Sequence, residues 1–193
     1  MKQTKKEQLI SNAKVLFDKH GFKKVTIDEI CKKAIVSRKT FYTYFGNKND
    51  LVLIIFHEMM DNAFAIYKEI VESKLSFADK LEKMFSYKYA NAEKISMEFI
   101  SDFYNPESAE LLEFFNKNVE KSLMLMRDFF KKAQDNGEMN PDLNLDYVMW
   151  LMQKATESCG TQELMSFFPD ADTLTRQVSQ SLVYGIMPIN RNK

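Results

Sequence analysis

Glycine and proline are scarce in this chain, at 5 and 4 of 193 residues. An all-β sandwich or barrel needs a turn signal every few residues, so this scarcity excludes such folds along with low-complexity linkers. Cysteine is scarcer still: Cys31 and Cys159 make no disulfide framework and suit a reducing cytoplasm, which is the expected location. No long apolar run is present. The longest aliphatic stretch, Leu51 to Phe56, is too short to span a bilayer, and Met1 to Glu7 leads into no signal-peptide core. The two histidines are far apart. His57 and Asp61 share a helix face but lack the second histidine of a zinc motif, and there is no glycine-flanked serine elbow or phosphate-cradling glycine loop. Neither a catalytic site nor a cofactor nor a metal is expected.

Net charge is also absent, with 27 basic residues balancing 27 acidic ones. Taken alone, that balance argues against a nucleic-acid binder, but the distribution reverses the argument. Residues 1–50 hold 12 Lys+Arg against 5 Asp+Glu, or +7, and residues 51–193 hold 15 against 22, or −7. A basic head on an acidic body is the footprint of a protein that presents one end to phosphate.

What is present begins at residues 25–48, where two short helices each carry a start signal. Thr26-Ile27-Asp28-Glu29 is a capping box with Val25 and Ile30 as its hydrophobic staple, and Ser37 can cap a second helix from Arg38 to Tyr44. Ile27, Ile30, Cys31, Ala34, Val36, Phe41 and Phe45 fall at helical spacing and point into one small core. Arg38, Lys39, Thr40, Thr43 and Tyr44 are left facing outward, and no carboxylate occurs between Arg38 and Asn49. Such a pair is a helix-turn-helix, whose second helix enters the DNA major groove with its first residues at the base edges. Arg38, Lys39 and Thr40 are therefore expected to meet bases. Thr43 is expected to reach a base or a phosphate, and Thr26, Ser37, Tyr42, Tyr44 and Lys48 to hold phosphates.

Thr26, Ile30, Ala34, Val36, Ser37, Thr40, Tyr42, Tyr44, Phe45 and Lys48 stand in the register of a known signature. The stretch resembles the N-terminal motif of the TetR family of bacterial transcriptional regulators. Two positions depart from it: Ile35 replaces the usual glycine of the turn, and Lys39 stands where a small residue is common. A β-branched residue is disfavoured at positive φ, so Ile35 implies a turn that avoids the left-handed region or tolerates strain.

The remaining chain reads as helices throughout, about nine in all, giving an all-α fold with a head at 1–46 and an effector-binding and dimerisation body at 47–193. The first helix starts at the Thr4 to Glu7 capping box and ends at His20-Gly21, and a long fourth helix follows Asn47. Later helices begin at Ser76, at Ser108, at Asn140-Pro141-Asp142 and at Pro169-Asp170, and a sixth runs through Ile95, Phe99 and Phe103 before Asn105-Pro106. The eighth runs to about Phe167 and the ninth ends near Pro188. The family resemblance implies that the last two helices form a four-helix interface with a symmetry mate. Met149, Met152, Leu174, Val178, Leu182 and Ile186 are the expected contacts, and a two-fold dimer matches a palindromic operator.

The body is rich in methionine and phenylalanine, which suits a cavity between helices for a small hydrophobic or aromatic effector. Met59, Phe64, Tyr67, Phe85, Tyr89, Phe99, Phe103, Phe115, Asn118, Met126, Trp150 and Gln153 are its expected lining, with Tyr104 and Glu157 as further polar anchors. Ordinary core packing is the competing explanation for each apolar member. The expected function is a ligand-responsive regulator, a repressor on double-stranded DNA. The alternative is a helical small-molecule-binding or interaction protein that has lost specific DNA binding.

Overall fold

The computed structural model describes residues 3–184 and is helical throughout that span. The elements are α1 Lys5–His20, α2 Ile27–Ala34, α3 Arg38–Tyr44, α4 Lys48–Glu72, α5 Phe77–Ala92, α6 Met97–Tyr104, α7 Ala109–Asp135, α8 Leu145–Ser158, α9 Gln162–Met165 and α10 Ala171–Tyr184. Local chemistry explains most of the starts. Thr4 with Glu7, Thr26 with Glu29 and Asn47 with Asp50 form reciprocal capping boxes at α1, α2 and α4, while Ser37, Ser76, Ser96 and Ser108 cap α3, α5, α6 and α7.

The eighth helix differs from expectation at both ends. Asn140 accepts the Asp142 N–H at 3.0 Å in a turn, and Asn144 caps the helix by accepting the Tyr147 N–H at 3.1 Å. The stretch to Phe167 is interrupted at Cys159-Gly160 and resumes only as the four-residue α9, so ten helices, not nine, occupy the described residues. Gly160 is required at that corner, because a Cβ there would lie 2.3 Å from the Tyr104 Cβ. The expected end near Pro188 lies outside the described residues.

Three apolar clusters hold the helices together. The first joins Leu9, Phe17, Phe22, Ile30 and Phe41 to Leu51, Val52, Ile55 and Phe56 of α4, then to Phe99, Leu111 and Phe115 of α6 and α7. Buried contact therefore continues across residue 46. A second cluster joins α5, the C-terminal half of α7 and α8 around Phe77, Phe130 and Met139, and a third sets Ile100 against Ala171 and Leu174.

Ile35 settles the question left by the turn. It sits in the left-handed region at φ 54° and ψ 46°, donating its N–H to the Cys31 and Lys32 carbonyls, with its side chain 93% exposed. The turn geometry is kept and the strain is accepted. Relief of about 1–2 kcal/mol from removing the Cβ, offset by about 0.5–1 kcal/mol of glycine backbone entropy, makes Ile35→Gly stabilising by up to about 1.5 kcal/mol. Denaturant titration should show a higher midpoint at unchanged slope; a lower midpoint would mean that the side chain contributes more than its exposure implies.

Candidate nucleic-acid interface

The outward face of α3 is held rigidly from behind. Phe41 and Phe45 are buried with ring centroids 5.2 Å apart, and the Ser37 hydroxyl accepts the Thr40 N–H at 3.1 Å to fix the first turn. Arg38, Lys39, Tyr42, Thr43 and Tyr44 are exposed and Thr40 is half-buried. Lys39 has no ion-pair partner among the described residues, so its ammonium is free to reach a base.

The other polar groups on this face are partly committed. Arg38 Nε lies 3.2 Å from Asp28 Oδ1 on α2, and its guanidinium is held above its ordinary range first by a hydrogen bond to Tyr42 and then by the Asp28 charge. Sequence reading missed Asp28 because the carboxylate comes from the neighbouring helix. An exposed pair of this kind contributes about 0–1 kcal/mol, so a guanine edge or phosphate can displace it. The Thr43 hydroxyl donates to the Lys39 carbonyl at 3.0 Å, and Ser37 and Thr40 share a hydroxyl contact at 2.9 Å. Thr26 has both donors engaged by Glu29: its N–H at 2.7 Å and its hydroxyl at 2.8 Å. Those bonds also hold the Glu29 carboxyl below its usual range.

Lys48 is partly engaged within the protein. Expected as a phosphate clamp, it is half-buried and donates to the Lys23 carbonyl at 2.8 Å and the Val25 carbonyl at 3.0 Å. Two of the three ammonium N–H groups thus tie the start of α4 to the segment before α2, and one remains. Burial pushes this ammonium down, against the charges of Glu107, Asp102 and Glu29.

Behind the head, a groove of about 530 Å³ opens between α7 and α8 with the end of α6 at its floor. Of the expected lining it contains Phe103, Phe115 and Gln153, together with Tyr104 and Glu157. The rest lie elsewhere for packing reasons. Phe99 and Met59 belong to the first cluster, and Tyr67, Phe85 and Met126 pack on the second, where burial first and Tyr87 second push the Tyr67 hydroxyl up to about 12. Phe64 lies under the Lys121 ammonium at 3.9 Å, and Asn118 donates to the Phe114 carbonyl of its own helix. Tyr89 stacks on Phe85 beneath the Arg176 guanidinium. Trp150 is 51% exposed and stacks on Tyr147, away from the groove.

The expected dimer residues are also redistributed. Leu174 is buried in the third cluster, Val178 packs on it, and Met149 and Met152 pack on the second cluster, with Met149 also lining the groove. Leu182 is half-buried, and Ile186 lies outside the described residues. Tyr147 and Trp150 carry the exposed apolar surface of α8. Among the described residues no group of three potential ligands could hold a metal ion, and no helix is long and apolar enough to cross a membrane.

Comparison with known proteins matches this arrangement. The family model described as "Bacterial regulatory proteins, tetR family" covers residues 9–55, the stretch from α1 to the first turns of α4. The chain is 26% identical over 149 residues to the HTH-type transcriptional regulator UidR of Escherichia coli, spanning 74% of this chain and 72% of that protein. It is 21% identical over 158 residues to the HTH-type transcriptional repressor KstR2 of Mycolicibacterium smegmatis, spanning 79% and 76%. Among solved structures, the regulator FadR of Bacillus subtilis in complex with stearoyl-CoA superposes with a TM-score of 0.67 at 20% identity, covering 93% of this chain and 98% of that one. Residues 9–55 thus match the model of the tetR family of bacterial regulatory proteins, and the fold of the whole chain resembles that of a solved transcriptional regulator.

Proposed function

We propose that the chain is a homodimeric, ligand-responsive transcriptional repressor, with residues 1–46 as the DNA-binding head and 47–193 as the effector-binding and dimerisation body. One observation carries the reading: α3 presents unpaired Lys39 beside Arg38 on a face pinned by buried Phe41 and Phe45, at the basic end of the chain. Lys39 and Arg38 read guanine edges, and Thr40 and Thr43 exchange local hydrogen bonds for base or phosphate contacts. Ser37, Tyr42, Tyr44 and the remaining Lys48 N–H meet phosphates, while Thr26 acts through the α2 cap. The solved neighbour that holds stearoyl-CoA and the groove lined by Phe103, Phe115, Leu112 and Met149 both support a small hydrophobic or aromatic effector. Its binding favours the dimer in which α4 spreads the two α3 helices, so that half-sites one helical turn apart are no longer filled together.

Selection of bound duplexes from a random pool, followed by anisotropy titration, tests this. Lys39→Ala is expected to cost about 1–3 kcal/mol on the selected site and to relax preference at one base pair, because a base-edge contact is lost. Lys48→Ala is expected to weaken all duplexes alike and to shallow the salt dependence by about one ion. A parent chain that binds no duplex in dilute buffer would end the reading.

A further inference from the structure

Asp102 is a nearly buried carboxylate that no recognised motif accounts for. One of its oxygens accepts the Lys23 N–H at 2.8 Å, across 79 residues of chain, and the same oxygen would lie 2.5 Å from a Cβ on Gly21. The Lys23 carbonyl on the other side accepts from Lys48. The peptide segment that leads into α2 is therefore gripped from both sides, by α6 through its N–H and by α4 through its carbonyl. A second tie lies at the start of α6, where the Ser96 N–H donates to the Asp18 carbonyl of α1 at 2.8 Å.

The other side of α6 faces the groove. Successive residues turn by about 100° on a helix, so Tyr104 points roughly opposite to Asp102, with Phe103 between them. Phe103 and Tyr104 line the groove, Tyr104 is packed against Gly160, and Asn105 donates to the Gly160 carbonyl at 2.8 Å. α6 has eight residues, with Asp102 on the head and its last two residues on the groove. Close-packed elements this short move as units, because single side chains cannot yield without leaving voids.

We propose that Asp102 is a positioning residue for DNA recognition: the α6 rod carries displacement of Phe103 and Tyr104 in the groove to the Lys23 amide, and so sets the attitude of α2 and α3. This rests on the DNA-reading function proposed above. It adds a route into the head that does not run along α4.

The test uses the full chain and takes groove-filling substitutions as the probe. Thr156 of α8 and Val119 of α7 also line the groove, so Thr156→Trp and Val119→Trp each place an indole there. In the parent chain each is expected to speed hydrogen exchange at the Lys23 amide about fivefold and to weaken the selected duplex by a similar factor. Asp102→Ala should by itself speed that exchange about tenfold, since a charge-assisted hydrogen bond is lost, and in its background the fillers should change duplex affinity less than about twofold. Asp102→Asn keeps an acceptor oxygen and should retain the response. A merely structural Asp102 would lower affinity without abolishing the filler effect, so equal filler effects with and without Asp102 overturn the proposal. Unchanged Lys23 exchange when the groove is filled overturns it as well. Failure of the parent chain to select any duplex would instead sink the DNA-reading function, while the exchange measurements would still report whether the groove moves the head.

Discussion

Phe56→Ala is expected to destabilise the chain by about 3–5 kcal/mol, the cost of a large cavity in a close-packed core. The ring is fully buried on α4, and its centroid lies 5.5 Å from Phe22, 5.7 Å from Phe99, 5.5 Å from Phe103 and 5.1 Å from Phe115. Those partners come from the segment after α1, from α6 and from α7, so removing one ring loosens head, α4 and groove together. Because edge-to-face aromatic contacts add about 0.5–1.5 kcal/mol each beyond burial, Phe56→Leu should recover only part of the loss. Chemical denaturation of both variants provides the check. A cost for Phe56→Ala below about 2 kcal/mol would show that neighbouring rings collapse into the space.

Gly21→Ala is expected to lose about 2–4 kcal/mol from two separable causes. Gly21 ends α1 at φ 72° and ψ 161°, a conformation that an L side chain enters only with about 1–3 kcal/mol of strain. The new Cβ would also meet Asp102 Oδ2 at 2.5 Å and the Glu98 carbonyl carbon at 3.2 Å. Replacing Asp102 by Ala in the Gly21→Ala chain removes the first collision but not the backbone strain, so the two substitutions together should cost less than the sum of their separate effects. Strict additivity would mean that the backbone alone carries the penalty.

Much of this arrangement is legible in the sequence where the governing interaction is local. Thr4, Thr26, Ser37, Asn47, Ser76 and Ser108 each cap through a bond to the residue three further on, so every such start can be read without knowing the fold. The same locality gives the outward set on α3, because Phe41 and Phe45 fix which way a seven-residue helix turns. Ile35 is instructive for the opposite reason. Propensity argues against a left-handed β-branched residue, yet the Cys31 and Lys32 carbonyls need a donor there and the tertiary turn imposes the conformation.

The groove residues show where such reading stops. Phe103 and Phe99 are one helical turn apart, chemically identical and both packed on Phe56, yet only Phe103 also lines the groove. Leu174, expected on an outer face, is buried and Trp150, expected in the cavity, is exposed for a similar reason: which face of a late helix is buried depends on which neighbours arrive, and apolar periodicity is the same either way.

From its sequence alone, this chain is committed to being helical, to starting its first five helices and α7 where it does, and to carrying a basic helix-turn-helix at one end, because caps, periodicity and charge act over a few residues. Only the tertiary structure decides that Lys48 grips the 23–25 segment, that Asp28 pairs with Arg38, and that Asp102 holds the head from 79 residues away. Those contacts are set by the packing of whole helices around shared apolar clusters, and no local pattern encodes which distant partner a side chain will meet.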